Sequence, residues 1–300
     1  MNKIFYGDCR ESLRRMAAAG VRAQTCVTSP PYFGLRDYGH AGQLGLEATP
    51  DEYIAAMVEV FRGVRDVLAD DGTLWVNIGD SYASGGRKTR DSDDKLEQRE
   101  MDVRPTDPIG IKPKDLIGIP WMLAFALRAD GWYLRQEIIW HKPNPMPESV
   151  RDRCTKAHES LFLLAKSERY YFDVDAIKEP ADPANHRDSR GIRRTAPGST
   201  DHTGFKGGRH YETRNKRNVW SIATKPYKGA HFAVFPPALV EPCILAGSRS
   251  GDIVLDPFMG SGTTAAVAIQ HGRQYVGCEL NEAYKPLIDQ RIADAQEKAA

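Results

Sequence analysis

Residues 251–279 read GDIVLDPFMGSGTTAAVAIQHGRQYVGCE. No other stretch constrains the fold as much. An apolar run closes on Asp256, Gly260 and Gly262 follow, and helical spacing begins near Thr263. The composition then returns to that of a strand ending at Glu279. A strand, a helix and a second strand in such short order form a crossover, which calls for a parallel sheet with helices on its faces. The turn brings backbone N–H groups and a helix N-terminus to the carboxyl edge of that sheet, where doubly wound folds hold their ligands. The two glycines let a ligand approach the backbone. Glu279 lies 19 residues after Gly260, a spacing suited to a ribose hydroxyl pair. The ligand reads as a nucleoside. No lysine follows the glycines, so this is not a P-loop. Ala265 stands where the dinucleotide fingerprint needs its third glycine. Asp256 would repel a pyrophosphate and suits a cationic ligand.

The rest of the chain alternates in the same way. KIFY, AQTCVTS, TLWVNIGD, YLRQEIIWHK and SLFLLAKS read as strands. RESLRRMAAAG, DLIGIPWMLAFALRADG, PPALVEPCILAGS and residues 281–299 read as helices. Thr49-Pro50-Asp51-Glu52 carries a helix start: a Thr cap, proline in the first turn and a Glu three residues after the cap. Apolar positions from Ile54 to Leu68 then keep helical spacing towards a stop near Gly72. The fold class is α/β, a Rossmann-like doubly wound sheet.

One strand ends abruptly. In TCVTSPPY (25–32) two prolines follow Ser29. Proline has no N–H and a fixed φ, so neither Pro30 nor Pro31 continues a central strand. The chain leaves stiffly, with Tyr32 at its tip. On composition alone this is either a strand-ending turn or a rigid platform for chemistry.

Composition excludes several function classes. Of 300 residues, 41% are hydrophobic and 27% charged, as in ordinary globular proteins. No apolar run approaches the roughly 20 residues that span a bilayer, and MNKIFYGDCRESL lacks the apolar core of a signal peptide. The expected location is cytoplasmic. Five scattered cysteines without a CxxC pair argue against zinc and against a disulfide framework. No metal site is expected. A net charge of +1 means that nucleic-acid affinity needs locally concentrated charge. Residues 84–108 are nearly devoid of apolar side chains and read as a mobile loop. Residues 178–218 carry ten Lys/Arg against five Asp/Glu. They read either as a solvated insertion or as a segment that meets phosphates.

Together, TSPPY and DPFMGSGTT resemble the amino-group DNA methyltransferases, which methylate N4 of cytosine or N6 of adenine with S-adenosylmethionine. The order, catalytic element first and glycine turn last, is similar to the permuted β group. The resemblance covers nearly the whole chain. It implies a catalytic element of Ser29, Pro30, Pro31 and Tyr32. An exocyclic amine is a poor nucleophile because its lone pair is delocalised into the ring. The Ser29 hydroxyl and the Pro30 carbonyl can hold its N–H groups, and Tyr32 can stack on a base flipped out of the duplex. For the donor, S-adenosyl-L-methionine, the resemblance implies Asp256, Phe258, Gly260, Ser261, Gly262 and Thr263 around the methionine end and the turn. It further implies Glu279 at the ribose, Asp8 near the adenine, and Phe232, Phe235 and Pro236 lining the pocket. IIWHKPNPMP (138–147) resembles a family stretch near the target pocket.

The resemblance divides the chain into a catalytic half (1–177), a target-recognition insertion (178–218) and a donor-binding half (219–300). The expected phosphate or guanine contacts are Arg187, Arg190, Arg193, Arg194, Arg209, Arg214, Lys216 and Arg217. Partners of such an enzyme are double-stranded DNA, a cognate restriction enzyme and a second copy of the chain. Ser29, where adenine enzymes mostly carry Asp, leans the target towards cytosine N4, with adenine N6 as the alternative. Two readings stand further off: a protein glutamine methyltransferase, whose element begins with Asn, and a non-enzymatic DNA-binding protein. C5 chemistry, which uses a cysteine after proline, is rejected because Pro242-Cys243 lies in an apolar helical pattern.

Overall fold

The computed structural model describes residues 1–35, 39, 40, 42–83, 111–181, 212–224 and 235–299. An N-terminal run of alternating elements comprises β1 (Lys3–Tyr6), α1 (Cys9–Ala18), β2 (Ala23–Thr28), α2 (Pro50–Val67), β3 (Leu68–Ile78), α3 (Ile119–Ala129), β4 (Tyr133–His141) and β5 (His158–Ala165). Two short strands, β6 (Glu179–Pro180) and β7 (Thr213–Arg214), pair with each other, and β8 is Val219–Ser221. The C-terminal run comprises α4 (Pro237–Gly247), β9 (Ile253–Asp256), α5 (Thr263–Gln270), β10 (Gln274–Glu279) and α6 (Lys285–Ala299).

Eight strands form one sheet in the order β1-β10-β9-β2-β3-β5-β4-β8. The first five run parallel, and β5 is antiparallel to both of its neighbours. Alternate side chains feed two cores. Cys26, Leu74, Val76, Phe162 and Leu164 face α1–α3, whereas Val27, Trp75, Leu161 and Leu163 face α4–α6. A sheet buried on both faces explains why its strands read as continuous apolar runs. The crossover from β2 departs towards β3, and that from β9 departs towards β10. The order therefore reverses between β2 and β9, the switch point where doubly wound sheets open a crevice.

Local chemistry sets most boundaries. The Thr49/Glu52 capping box forms as the sequence predicts, with Glu52 N donating to Thr49 Oγ1 at 3.2 Å and Thr49 N to Glu52 Oε2 at 3.1 Å. Helix α2 stops at Val67, short of the expected Gly72, because Leu68 enters the sheet opposite Ala23. Helix α3 starts at Ile119 and not at Asp115. Gly118 turns left-handed (φ 87°), and the cap comes from another element. Asp80, just past β3, accepts Gly118 N at 3.0 Å and Ile119 N at 3.1 Å. The last helix is preceded by a 3₁₀ turn at Glu282–Tyr284. The expected mobile loop at 84–108 lies outside the described residues, as do 182–211 of the basic insertion.

Candidate active site

Four of the residues named above converge on one edge of the sheet. Asp8 follows β1, Ser29 follows β2, Asp256 ends β9 and Glu279 ends β10. Asp256 is fully buried. Its Oδ1 accepts Thr28 Oγ1 at 2.6 Å and Phe258 N at 3.0 Å, and its Oδ2 accepts Thr264 Oγ1 at 2.7 Å. Burial pushes this carboxyl up to about 6, opposed by those hydrogen bonds. Asp256 therefore bolts the end of β2 to the glycine turn and the start of α5, and its oxygens are engaged within the fold.

The turn itself is left-handed at Gly260 (φ 54°) and Gly262 (φ 83°), which side chains resist. Gly260 N donates to Glu279 Oε2 at 2.8 Å, and Asn281 N to Oε1 at 2.9 Å. Burial pushes Glu279 up to about 7 despite these bonds. Ser261 and Thr263 are buried, and each hydroxyl accepts from Arg291 of α6 at 2.6 Å. Their side chains thus tie the turn to the last helix. Asp8 is brought beside Glu279 because Tyr6 pairs with Glu279 and Gly7 N donates to Glu279 O at 2.9 Å. Asp8 also caps α1 through Arg10 N (2.7 Å), and the Arg10 guanidinium holds its carboxyl below the usual range. Phe258 is partly buried against the first core and Phe235 against the second. Pro236 is the buried N-cap of α4. Phe232 lies outside the described residues.

The SPPY element is held on all sides. Tyr53 Oη donates to Pro31 O at 2.8 Å. Tyr32 lies with its ring edge on the backbone of Gly79, so close that a methyl there would stand 2.6 Å from Tyr32 Cε2. Its hydroxyl receives Asn77 Nδ2 (2.8 Å) and Ser29 Oγ (3.4 Å) and donates to Glu159 Oε2 (2.7 Å). Asn77 Nδ2 also reaches Glu159 at 2.9 Å, and Lys142 Nζ pairs with Glu159 Oε1. Burial would raise the Glu159 carboxyl, but Lys142 and the surrounding donors overcome it and hold it low. Lys156 adds a bond to the Asp80 carbonyl at 2.6 Å, and burial pulls its ammonium down.

Sequence reasoning missed Asn77 and Glu159. Asn77 is a polar residue inside the apolar run LWVNIG, and that interruption is the signal that could have found it. Glu159 stands between His158 and Ser160 at the polar start of β5 and carries no such signal. Of the basic residues expected to meet DNA, Arg214 and Arg217 both pair with Glu179, at 2.8 and 2.7 Å, and Lys216 lies over the Trp220 ring at 5.1 Å. These three are engaged within the chain. Arg187, Arg190, Arg193, Arg194 and Arg209 lie outside the described residues. Cys243 is fully buried, its Sγ donating to Leu239 O, and burial pushes the thiol far above its ordinary range.

The sheet order, its switch point and the polar edge above it define a doubly wound α/β protein with a candidate site at its switch point. A family model described as DNA methylase, of the N6/N4 methyltransferase type, matches residues 23–290. Relatives include the type II methyltransferase M.SmaI of Serratia marcescens, 52% identical over 97% of this chain and 90% of its own length. M.Cfr9I of Citrobacter freundii is 51% identical over 96% of this chain and 87% of its own. Among solved structures, the cytosine-N4-specific PvuII DNA methyltransferase superposes with a TM-score of 0.62 at 18% identity, covering 99% of this chain and 92% of that one. The M1.HpyAVI–SAM complex gives 0.55 at 18% identity, covering 97% and 100%. The chain belongs to the N6/N4 DNA methylase family and is a DNA methyltransferase of the amino-group kind.

Proposed function

We propose that this protein transfers a methyl group from S-adenosyl-L-methionine to N4 of a cytosine flipped out of duplex DNA. The observation that carries the reading is the Thr28–Asp256–Thr264 bolt. It fixes Ser29, the next residue after Thr28, against the glycine turn that would hold the donor. When bound, the donor supplies an electrophilic methyl on a sulfonium. Glu279 accepts from the ribose hydroxyls while its backbone bonds hold it in place. The Asp256 carboxylate beneath the turn favours a cation. The Ser29 hydroxyl and Pro30 carbonyl accept hydrogen bonds from the two amine N–H groups and free the nitrogen lone pair. As the N–C bond forms, the S–C bond breaks, the donor leaves as a neutral thioether, and the surplus amine proton passes to solvent. Tyr32 would stack on the flipped base. Preorganised acceptors of this kind need no covalent enzyme intermediate.

Cytosine is favoured over adenine N6 by Ser29, a neutral acceptor where adenine enzymes of this family mostly have a carboxylate. The same reading gives residues 178–218 the task of target recognition, between a catalytic half at 1–177 and a donor half at 219–300. The relatives are named as type II methyltransferases, which supports a restriction enzyme of the same specificity as a partner. The test is to express the chain in a host without amino-methylated bases, digest its DNA to nucleosides and weigh them. N4-methyl-2′-deoxycytidine is expected. N6-methyl-2′-deoxyadenosine would overturn the choice of base, and the absence of both products would overturn the reading.

A further inference from the structure

We infer that Glu159, with Lys142 behind it, sets the direction of a hydrogen-bond chain that makes Ser29 an acceptor towards the target amine. The inference rests on the proposed role of Ser29. A serine hydroxyl has one proton and two lone-pair sites, and its rotor is free. To hold an amine N–H it must point its own proton elsewhere. The geometry supplies that elsewhere. Ser29 Oγ lies 3.4 Å from Tyr32 Oη, and Tyr32 Oη lies 2.7 Å from Glu159 Oε2. An ionised carboxylate only accepts, so the Tyr32 proton must point at Glu159. The Tyr32 oxygen is then left as an acceptor, shared by Asn77 Nδ2 (2.8 Å) and the Ser29 hydroxyl. Ser29 donates inward and turns its lone pairs outward. A reversed chain would present a proton to the amine hydrogens and repel them.

The direction therefore depends on the Glu159 charge. The groups facing that carboxylate are Lys142 at the end of β4, Asn77 on β3, Tyr32 after β2 and, more remotely, Lys156 before β5. Lys142 is also seated over the Trp140 ring, its Nζ 4.4 Å from the centroid. Glu159 and Lys142 are only 15% and 18% exposed, so neither is a solvated surface charge. On this account both are positioning residues. They touch neither base nor donor and act through Tyr32.

Glu159→Gln tests the direction. With Lys142 present, the amide oxygen turns to the ammonium, and the NH₂ donates to Tyr32, reversing the chain. Turnover on unmethylated genomic DNA should fall by roughly 10–1000-fold, the scale of one preorganised contact, with donor affinity unchanged. Glu159→Gln combined with Lys142→Met frees the amide oxygen to face Tyr32, so the double variant should regain activity over Glu159→Gln alone. Lys142→Met by itself leaves a buried carboxylate with less support. Its kcat–pH profile should gain an acid limb as Glu159 protonates, which a merely structural role would not produce. Ser29→Ala separates the two claims. Glu159→Gln added to Ser29→Ala should cost little more than Ser29→Ala alone. If the two losses multiply, or if Lys142→Met deepens the Glu159→Gln defect, the inference falls while the role of Ser29 stands. If Ser29→Ala keeps full turnover, the role of Ser29 falls as well.

Discussion

At the scale of single residues, the site is governed by how little room its groups have. Gly79 has an ordinary backbone conformation, and the Tyr32 ring occupies the place of its missing side chain. Gly79→Ala must push a ring that is pinned at its hydroxyl by Asn77 and Glu159. We expect turnover to drop at least about tenfold through misplacement of the base, a stability cost of about 1–3 kcal/mol from overpacking, and unchanged donor affinity by calorimetry. Glu279 gives a pH signature. Its carboxyl, at about 7 in the fold, and that of Asp256, at about 6, both lie above their ordinary values near 4. Between those limits the folded state binds more protons than the unfolded one. These two groups therefore make the ligand-free protein less stable as pH rises from about 4.5 to 7. A cationic donor that needs ionised Glu279 should show the opposite trend, its affinity rising with pH through about 7. Glu279→Gln should flatten the part of the slope due to this group. Donor-induced shifts in Tm at pH 6 and pH 8 measure it.

At the scale of elements, a strand end and a glycine turn work as one piece because Thr28 and Thr264 clasp the same carboxylate. Thr28→Val keeps the shape and removes one clasp. A cost of about 1–3 kcal/mol is expected for a buried carboxylate that loses a hydrogen-bond partner, together with weakened donor binding and turnover, read by chemical denaturation and by single-turnover assay. If turnover stays at the wild-type rate, the bolt does not align the two halves. The elements also show where sequence stops being legible. The longer strands, the helices and both motifs could be read because burial on two faces writes continuous apolar runs, because Pro-Pro ends a strand locally and because Gly-x-Gly permits a left-handed turn. The short strands β6, β7 and β8 carry no such run. The start of α3 could not be read, since its cap is Asp80 from a distant position. The network under Tyr32 could not either, since it joins residues 77, 142 and 159 through the fold alone. Ser261 and Thr263 read as donor contacts, yet only the packing of α6 reveals Arg291 as the partner of their hydroxyls.

At the scale of the whole molecule, recognition and chemistry are expected to separate. Deleting residues 187–214 should leave donor binding largely intact and abolish site-specific methylation, with a flatter salt dependence of DNA binding. Retained methylation of the same site would move recognition elsewhere in the chain. The sheet carries one more consequence. Its edge strand β1 lies against β10, and Asn2 Oδ1 accepts Tyr275 N at 3.1 Å across 273 positions of sequence. Closing a loop of that length is entropically slow compared with forming the local β–α–β units. Asp8 and Glu279 become neighbours only through that closure. The donor pocket is thus completed by one of the most non-local pairings in the chain, late in folding, and a refolding chain should acquire its sheet signal before it can bind the methyl donor.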